Sequence, residues 1–149
     1  MAKKQAADLR AATWATLGNV KRMASDFPGA SDAFNRAWKI HEEEGTGTSI
    51  AAAVMVSYEA SYLVDMGHFE AAEAALAEVR DTYREQGDRH QECRTLIEMG
   101  HAIGFVDPWR GIEHLTQGLE LLDPSREPRL ELCAVHALAH FYAHRRSAG

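Results

Sequence analysis

Residues 14–18 read WATLG and residues 26–37 read DFPGASDAFNRA. Trp14, Leu17 and Gly18 have the i, i+3, i+4 spacing that places them on one face of a helix. Ala30, Phe34 and Ala37 do the same for a second helix, and Pro28 with Gly29 marks the turn between them. Each helix offers small residues where a neighbour must approach and a large one to fill the space beside it, which is what ridge-into-groove packing needs. The stretch therefore reads as two antiparallel helices joined by a tight turn.

Outward from this stretch the pattern recurs. Trp14, Leu17 and Gly18 are echoed by Val56, Glu59 and Ala60, then by Leu96, Met99 and Gly100, then by Val135, Leu138 and Ala139, in steps of 42, 40 and 39 residues. Ala30, Phe34 and Ala37 are echoed by Ala72, Leu76 and Val79 and by Gly111, Leu115 and Gly118. The turns repeat as well, as SDFPGA, MGHFEAA and VDPWRG. Periods of this length with helical phasing indicate stacked helix pairs. The predicted helices run over 5–25, 28–43, 48–66, 69–86, 89–106, 108–122 and 127–146. Gly45, Gly47, Gly67 and Gly87 stand at C-cap positions, and Asp107 before Pro108 is an N-cap followed by proline at the first helical position. Pro128 falls in the first turn of the last helix, where its missing N–H is harmless. No segment alternates with strand period, so an all-α fold is predicted.

The first pair carries W-x2-L-G followed by A-x3-F, and on these residues the chain resembles the tetratricopeptide repeat family, in its longer-repeat bacterial form. The resemblance implies one domain over 1–149, a right-handed superhelical solenoid of three helix pairs (5–43, 48–86 and 89–122) and a final helix. It implies a non-catalytic scaffold that binds a protein or peptide segment in a concave groove lined by the first helix of each pair, as part of a sensor or adaptor in a larger regulator. Glu59 departs from the leucine and Gly111 from the alanine that the family prefers, and the turn before Gly111 is one residue short.

Within such a groove, positions one and five residues beyond each large packing residue form the exposed stripe. They are Ala15, Asn19 and Met23 with Arg22; Ser57, Ser61 and Asp65; Ile97, His101 and Phe105 with Arg94; and His136, His140 and His144 with Cys133. Family members that clamp a partner's C-terminal carboxylate use paired lysines and asparagines here. Asn19 matches, but Ala15 replaces a lysine, so an extended or helical peptide with some acidic character is the better fit.

The three histidines four residues apart could share a divalent ion, but structural sites recruit cysteine or carboxylate and a hydrogen-bond partner for each imidazole, so a polar groove face is the preferred reading and no metal or other cofactor is assigned. The chain has no H-E-x-x-H, no phosphate-binding glycine loop and no Ser/His/Asp arrangement, and no catalytic residue is assigned. The acidic runs at 41–44 and 78–85 read as solvated outer faces, Tyr58, Tyr62 and Tyr142 as packing residues, and Trp109 as a buried wedge.

With 16 Lys and Arg against 22 Asp and Glu, the net charge is −6, which disfavours a broad grip on nucleic acid. No apolar run approaches the roughly 20 residues that span a bilayer, and no apolar segment follows Lys3 and Lys4, so a cytoplasmic protein without membrane attachment is expected. Cys93 and Cys133, far apart, read as reduced thiols. The last helix is apolar on more than one face through Leu130, Leu138, Phe141 and Tyr142, and the chain closes on HRRSAG without a pairing helix. This raises a second possibility, self-assembly into a homo-oligomer or filament through that end.

Overall fold

A computed structural model describes residues 2–145 and, among these, shows seven α-helices and no strand. They are α1 (Ala2–Met23), α2 (Phe27–Glu44), α3 (Ile50–Asp65), α4 (Phe69–Gln86), α5 (Arg89–Gly104), α6 (Pro108–Leu121) and α7 (Pro128–His144). All seven predicted helices are present within a few residues of their predicted ends; position 146, the predicted end of the last, lies outside the described residues. The punctuation follows from local chemistry. Asp26, Ser49, Asp88 and Asp107 each cap a helix by accepting a backbone N–H with the side chain. Gly45 and Gly87 end α2 and α4 in the left-handed conformation, at φ 65° and 72°, which an L side chain rarely adopts.

The helices form two compact units, Met1–Met66 and Gly67–Gly149, a division that falls inside the second of the expected helix pairs. In the first unit α1 packs along α2 and also against α3. Its core is built from Ala11, Ala15, Ala30, Phe34, Ala37 and Met55. Of the opening motif, Gly18 and Phe34 pack together as the spacing requires and Trp14 is half-buried, whereas Leu17, placed by its spacing on the same face, is exposed. A Cβ on Gly18 would lie 2.8 Å from Cε1 of Phe34, so only glycine lets the ring slide under α1. Full burial of Phe34 contributes about 1.5–3 kcal/mol, and the alanines around it let the helix backbones approach closely. Glu59, the departure from a leucine, is explained by Trp38, whose indole N–H donates to Glu59 Oε2 at 2.8 Å. A half-buried tryptophan donor needs an acceptor, and leucine has none.

In the second unit α5 is the central helix, packed by α4 and α6 with α7 against both α5 and α6. Cys93, Ile97, Ile112, Leu115, Ala134, Ala137 and Phe141 form its core. The α5–α6 crossing depends on glycines. A Cβ on Gly100 would meet Leu115 Cγ at 2.6 Å, and one on Gly111 would meet Gly104 Cα at 2.6 Å. Gly111 therefore departs from alanine because a backbone, with no freedom to rotate aside, occupies the space the methyl would need.

The residues read as solvated runs divide between the two environments. Glu42, Glu43, Glu78 and Glu85 are exposed, but His41 and Tyr83 are buried. His41 corrects the reading of its run as an outer face. Its Nδ1 lies 2.7 Å from Thr46 Oγ1 and 3.8 Å from Asp8 Oδ1, and Nε2 is buried without a partner. Burial pushes its pKa below the usual imidazole value, with the Asp8 carboxylate and the Thr46 contact opposing that shift. Ser49, the α3 cap, donates to the same Asp8 oxygen, so the network ties the start of α1 to the α2–α3 turn. No helix among the described residues is long and apolar enough to cross a membrane.

Candidate partner-binding surfaces

In the first unit the contact between α1 and α3 brings several of the expected stripe residues onto neighbouring positions. Arg22 Nε donates to Asn19 Oδ1 at 3.1 Å, and its Nη1 donates to Asp65 Oδ2 on α3 at 2.7 Å. Ser61, one turn before Asp65, is exposed and donates to the Ser57 carbonyl; Met23 is also exposed. Ala15 is not part of this surface, because it sits in the core against α2. The Arg22 guanidinium is already neutralised by Asp65, so this face is polar with an apolar tip at Met23. It lacks the free positive charge expected of a site for acidic ligands.

In the second unit the expected stripe divides. Ile97 is buried at 2% exposure among the residues joining α5 to α6 and α7, which corrects its placement on an open stripe. The reason is that α5 is the central helix: ten of its 16 residues are buried, so it has little open face. Arg94 is exposed and paired with Glu127 at 3.4 Å, and His90 reaches the same carboxylate oxygen at 3.2 Å. His101 is half-buried, with Nδ1 2.9 Å from the Ile97 carbonyl. A carbonyl only accepts, so Nδ1 carries the proton.

The remaining residues converge at the C-terminal ends of α5 and α7. Phe105 is 63% exposed and meets Phe141 edge-on, with ring centroids 5.7 Å apart. Its other neighbour is His140 at 6.5 Å, and the His140 and His144 rings lie 4.1 Å apart, inclined by 31°. His144 donates through Nδ1 to the His140 carbonyl at 2.9 Å, which fixes the ring over its neighbour. His136, a turn earlier, is exposed, but no contact places it in this group. Among the described residues no group of three or more His, Cys, Asp and Glu side chains is placed to hold a metal ion.

Residues beyond the predicted set complete this end. Trp109, whose place beside a turn predicts a buried wedge, is instead 59% exposed. Arg145 lies between two rings, its guanidinium carbon 4.9 Å from the Trp109 centroid and 4.7 Å from that of Tyr142, so the aromatic faces hold the cation in place. The sequence signal was present, in aromatic and basic residues near a turn and near a helix end, but their meeting depends on how α6 and α7 pack.

The α7 face itself requires a correction. Leu130, Leu138 and Phe141, read as a self-association surface, pack on the core of the unit, and only Tyr142 of the four is exposed. The fourth echo of the repeat is out of phase with this packing. Ala134, Ala137 and Phe141 face inward, which turns Val135 and Ala139 outward beside Leu132, which is 70% exposed.

A separate charged cluster joins residues far apart in sequence. Glu73, almost buried on α4, accepts from Arg110 and approaches His114 Nε2 at 2.7 Å, both on α6. His114 Nδ1 is buried without a partner. Two surface clefts also lie in this unit. One of about 360 Å³ runs along Gly67–Ala71 beside Val106, and one of about 250 Å³ lies among Arg89, His90, Asp123 and Arg126. Cys93 borders the second, but its thiol donates to the Gly118 carbonyl at 3.1 Å, and burial together with Glu127 raises its pKa, so it stays protonated and inert. Cys133 is exposed, and both cysteines are free.

Compared with known protein families, curated proteins and solved structures, the chain matches none of them.

Proposed function

We propose that this chain is a non-catalytic interaction scaffold of the helical-repeat type, binding a peptide segment of a partner protein and serving as the sensor or adaptor part of a larger cytoplasmic regulator. The reading takes the helix pairs as turns of a right-handed solenoid. Its main support is the exposed cluster of Phe105, His140 and His144, where an aromatic ring and two stacked imidazoles stand open at the ends of adjacent helices. Exposed aromatic and imidazole groups of this kind suit a partner that inserts an apolar side chain and places a carboxylate beside the histidines. The polar face around Asn19, Arg22 and Ser61 adds hydrogen-bonding capacity without net charge.

The test is selection of random 12-residue peptides on the purified protein, followed by titration of the selected peptides against Phe105→Ala and His140→Ala. Loss of affinity by about tenfold or more in both variants, the size of a contact worth at least 1.4 kcal/mol, is the expected result. Peptides that bind both variants as tightly as the parent protein would overturn the assignment of the cluster.

Self-association is the second reading, favoured by one observation: the outward apolar stripe of α7 through Leu132, Val135 and Tyr142.

A further inference from the structure

We infer that Arg145, clamped between Trp109 and Tyr142, is the anchor for a carboxylate of the partner peptide. The inference rests on the peptide-binding reading and gives that peptide a required group and a place for it.

The clamp is assembled from two helices. Trp109 stands in the first turn of α6, Tyr142 in the last turn of α7, and Arg145 is the α7 C-cap. The guanidinium carbon lies over both rings, 4.9 Å from the Trp109 centroid and 4.7 Å from that of Tyr142. Both rings are exposed, so the cation is held at the surface and not drawn into the core. Its N–H groups radiate in one plane, a fork that matches the two oxygens of a carboxylate. Among the described residues, no side chain pairs with those N–H groups.

The first unit shows how a ring-held guanidinium behaves with a carboxylate in reach. Arg36 lies over Trp14, 4.7 Å from the ring centroid, while its Nε donates to Asp32 Oδ2 at 3.1 Å. One guanidinium thus serves an aromatic ring and a carboxylate together. Elsewhere Arg22, Arg84, Arg94 and Arg110 are taken up by Asp65, Glu92, Glu127 and Glu73. Arg145 has two ring contacts and no acid from its own described chain, so charge complementarity selects a carboxylate from outside.

The setting selects a peptide as the bearer of that carboxylate. Arg145 follows His144, whose ring lies against His140, and His140 in turn neighbours exposed Phe105. An apolar seat and a cationic fork therefore share the last turn of α7, and one helical turn rises about 5.4 Å, within reach of a short peptide. The rings also favour tight binding. A free arginine gives up rotamer freedom when it engages a ligand, whereas Arg145 has surrendered part of it to the rings beforehand.

The test uses peptides selected on the whole chain from a random library, each made with a free and with an amidated C-terminus. The expected result is that Arg145→Gln and Arg145→Lys each weaken binding about tenfold or more. Arg145 lies at a helix end, and an unchanged circular dichroism spectrum separates this loss from unfolding. Changing the peptide's Glu to Gln, or its Asp to Asn, weakens binding to the parent protein by a similar factor and weakens binding to Arg145→Gln hardly at all. If the terminal carboxylate is the one held, amidation gives that pattern instead and the side-chain changes do not. Arg145→Lys binding as tightly as the parent would overturn the fork, because charge alone would then suffice. Losses from Arg145→Gln and from neutralised peptides that simply add would overturn the pairing. Peptides that lose affinity with Phe105→Ala but not with Arg145→Gln would overturn the anchor and leave the peptide-binding reading standing. A library that yields no binder would overturn both.

Discussion

Replacing Gly111 with alanine sets two opposing effects against each other at one atom. Alanine in a helix interior is favoured over glycine by about 1 kcal/mol, so on propensity alone Gly111→Ala stabilises α6. The added Cβ, however, would lie 2.6 Å from Gly104 Cα, 3.1 Å from the Gly100 carbonyl oxygen and 3.2 Å from the Gly104 nitrogen. An ordinary carbon–carbon contact is about 3.5–4.0 Å, so the α5–α6 separation must grow by about 1 Å. All three atoms are backbone, so no rotamer change relieves the contact, and the overpacking reaches the upper part of the usual 1–3 kcal/mol range. The net effect is a loss of about 1–2 kcal/mol, equivalent to a thermal midpoint lower by about 5–15 °C for a unit of this size. Urea and thermal unfolding followed by circular dichroism at 222 nm measure it. Gly47→Ala is the internal comparison: its Cβ meets nothing within 4 Å and its φ is not positive, so its midpoint stays level or rises slightly. A midpoint for Gly111→Ala equal to or above the parent's would refute the close-packed crossing of α5 and α6.

Three further outcomes follow from buried groups. His41 has a depressed folded-state pKa, so the unfolded chain binds the proton more readily. The stabilisation from keeping it neutral is complete above about pH 6.5 and falls as pH drops from there toward the folded value; urea midpoints between pH 7.5 and 5 record the slope, and His41→Gln flattens it. Phe34→Ala empties the space beneath Gly18 and lowers stability by about 3–5 kcal/mol, read from denaturant midpoints, whereas loss below about 1 kcal/mol contradicts the packing of the first unit. Glu73→Gln keeps the shape but removes the charge facing Arg110 and His114; it lowers stability by about 1–3 kcal/mol at pH 7 in the same assay, and an unchanged midpoint means the cluster contributes nothing net.

Helix positions were legible in the sequence because their signals are local. Apolar spacing, the side-chain cap at Asp107, and glycines at Gly45 and Gly87 act within a few residues of the backbone they control. The small-against-large pairing of Gly18 with Phe34 was legible for the same reason, since a tight turn brings the two halves of one motif together. The candidate site was legible only in part. Asn19, Arg22, Phe105, His140 and His144 reach the surface as their helical phase suggested, but nothing near Arg22 in sequence announced that Asp65, 43 residues away, would neutralise it.

What only tertiary structure decided was which faces remained open. The spacing of Ile97 suits an open stripe as well as a core, and its burial follows from α5 being covered by α4, α6 and α7. His41 lies in an acidic run that reads as solvated, yet it falls on the buried face of α2, where Asp8 and Thr46 enclose it. In α7 the sequence alone determined that apolar residues lie on more than one side, because composition and period are properties of the segment. Packing then chose Ala134, Ala137 and Phe141 for the core and left Leu132, Val135 and Tyr142 facing solvent. Burial is a property of the neighbours a face meets, and those neighbours come from distant parts of the chain.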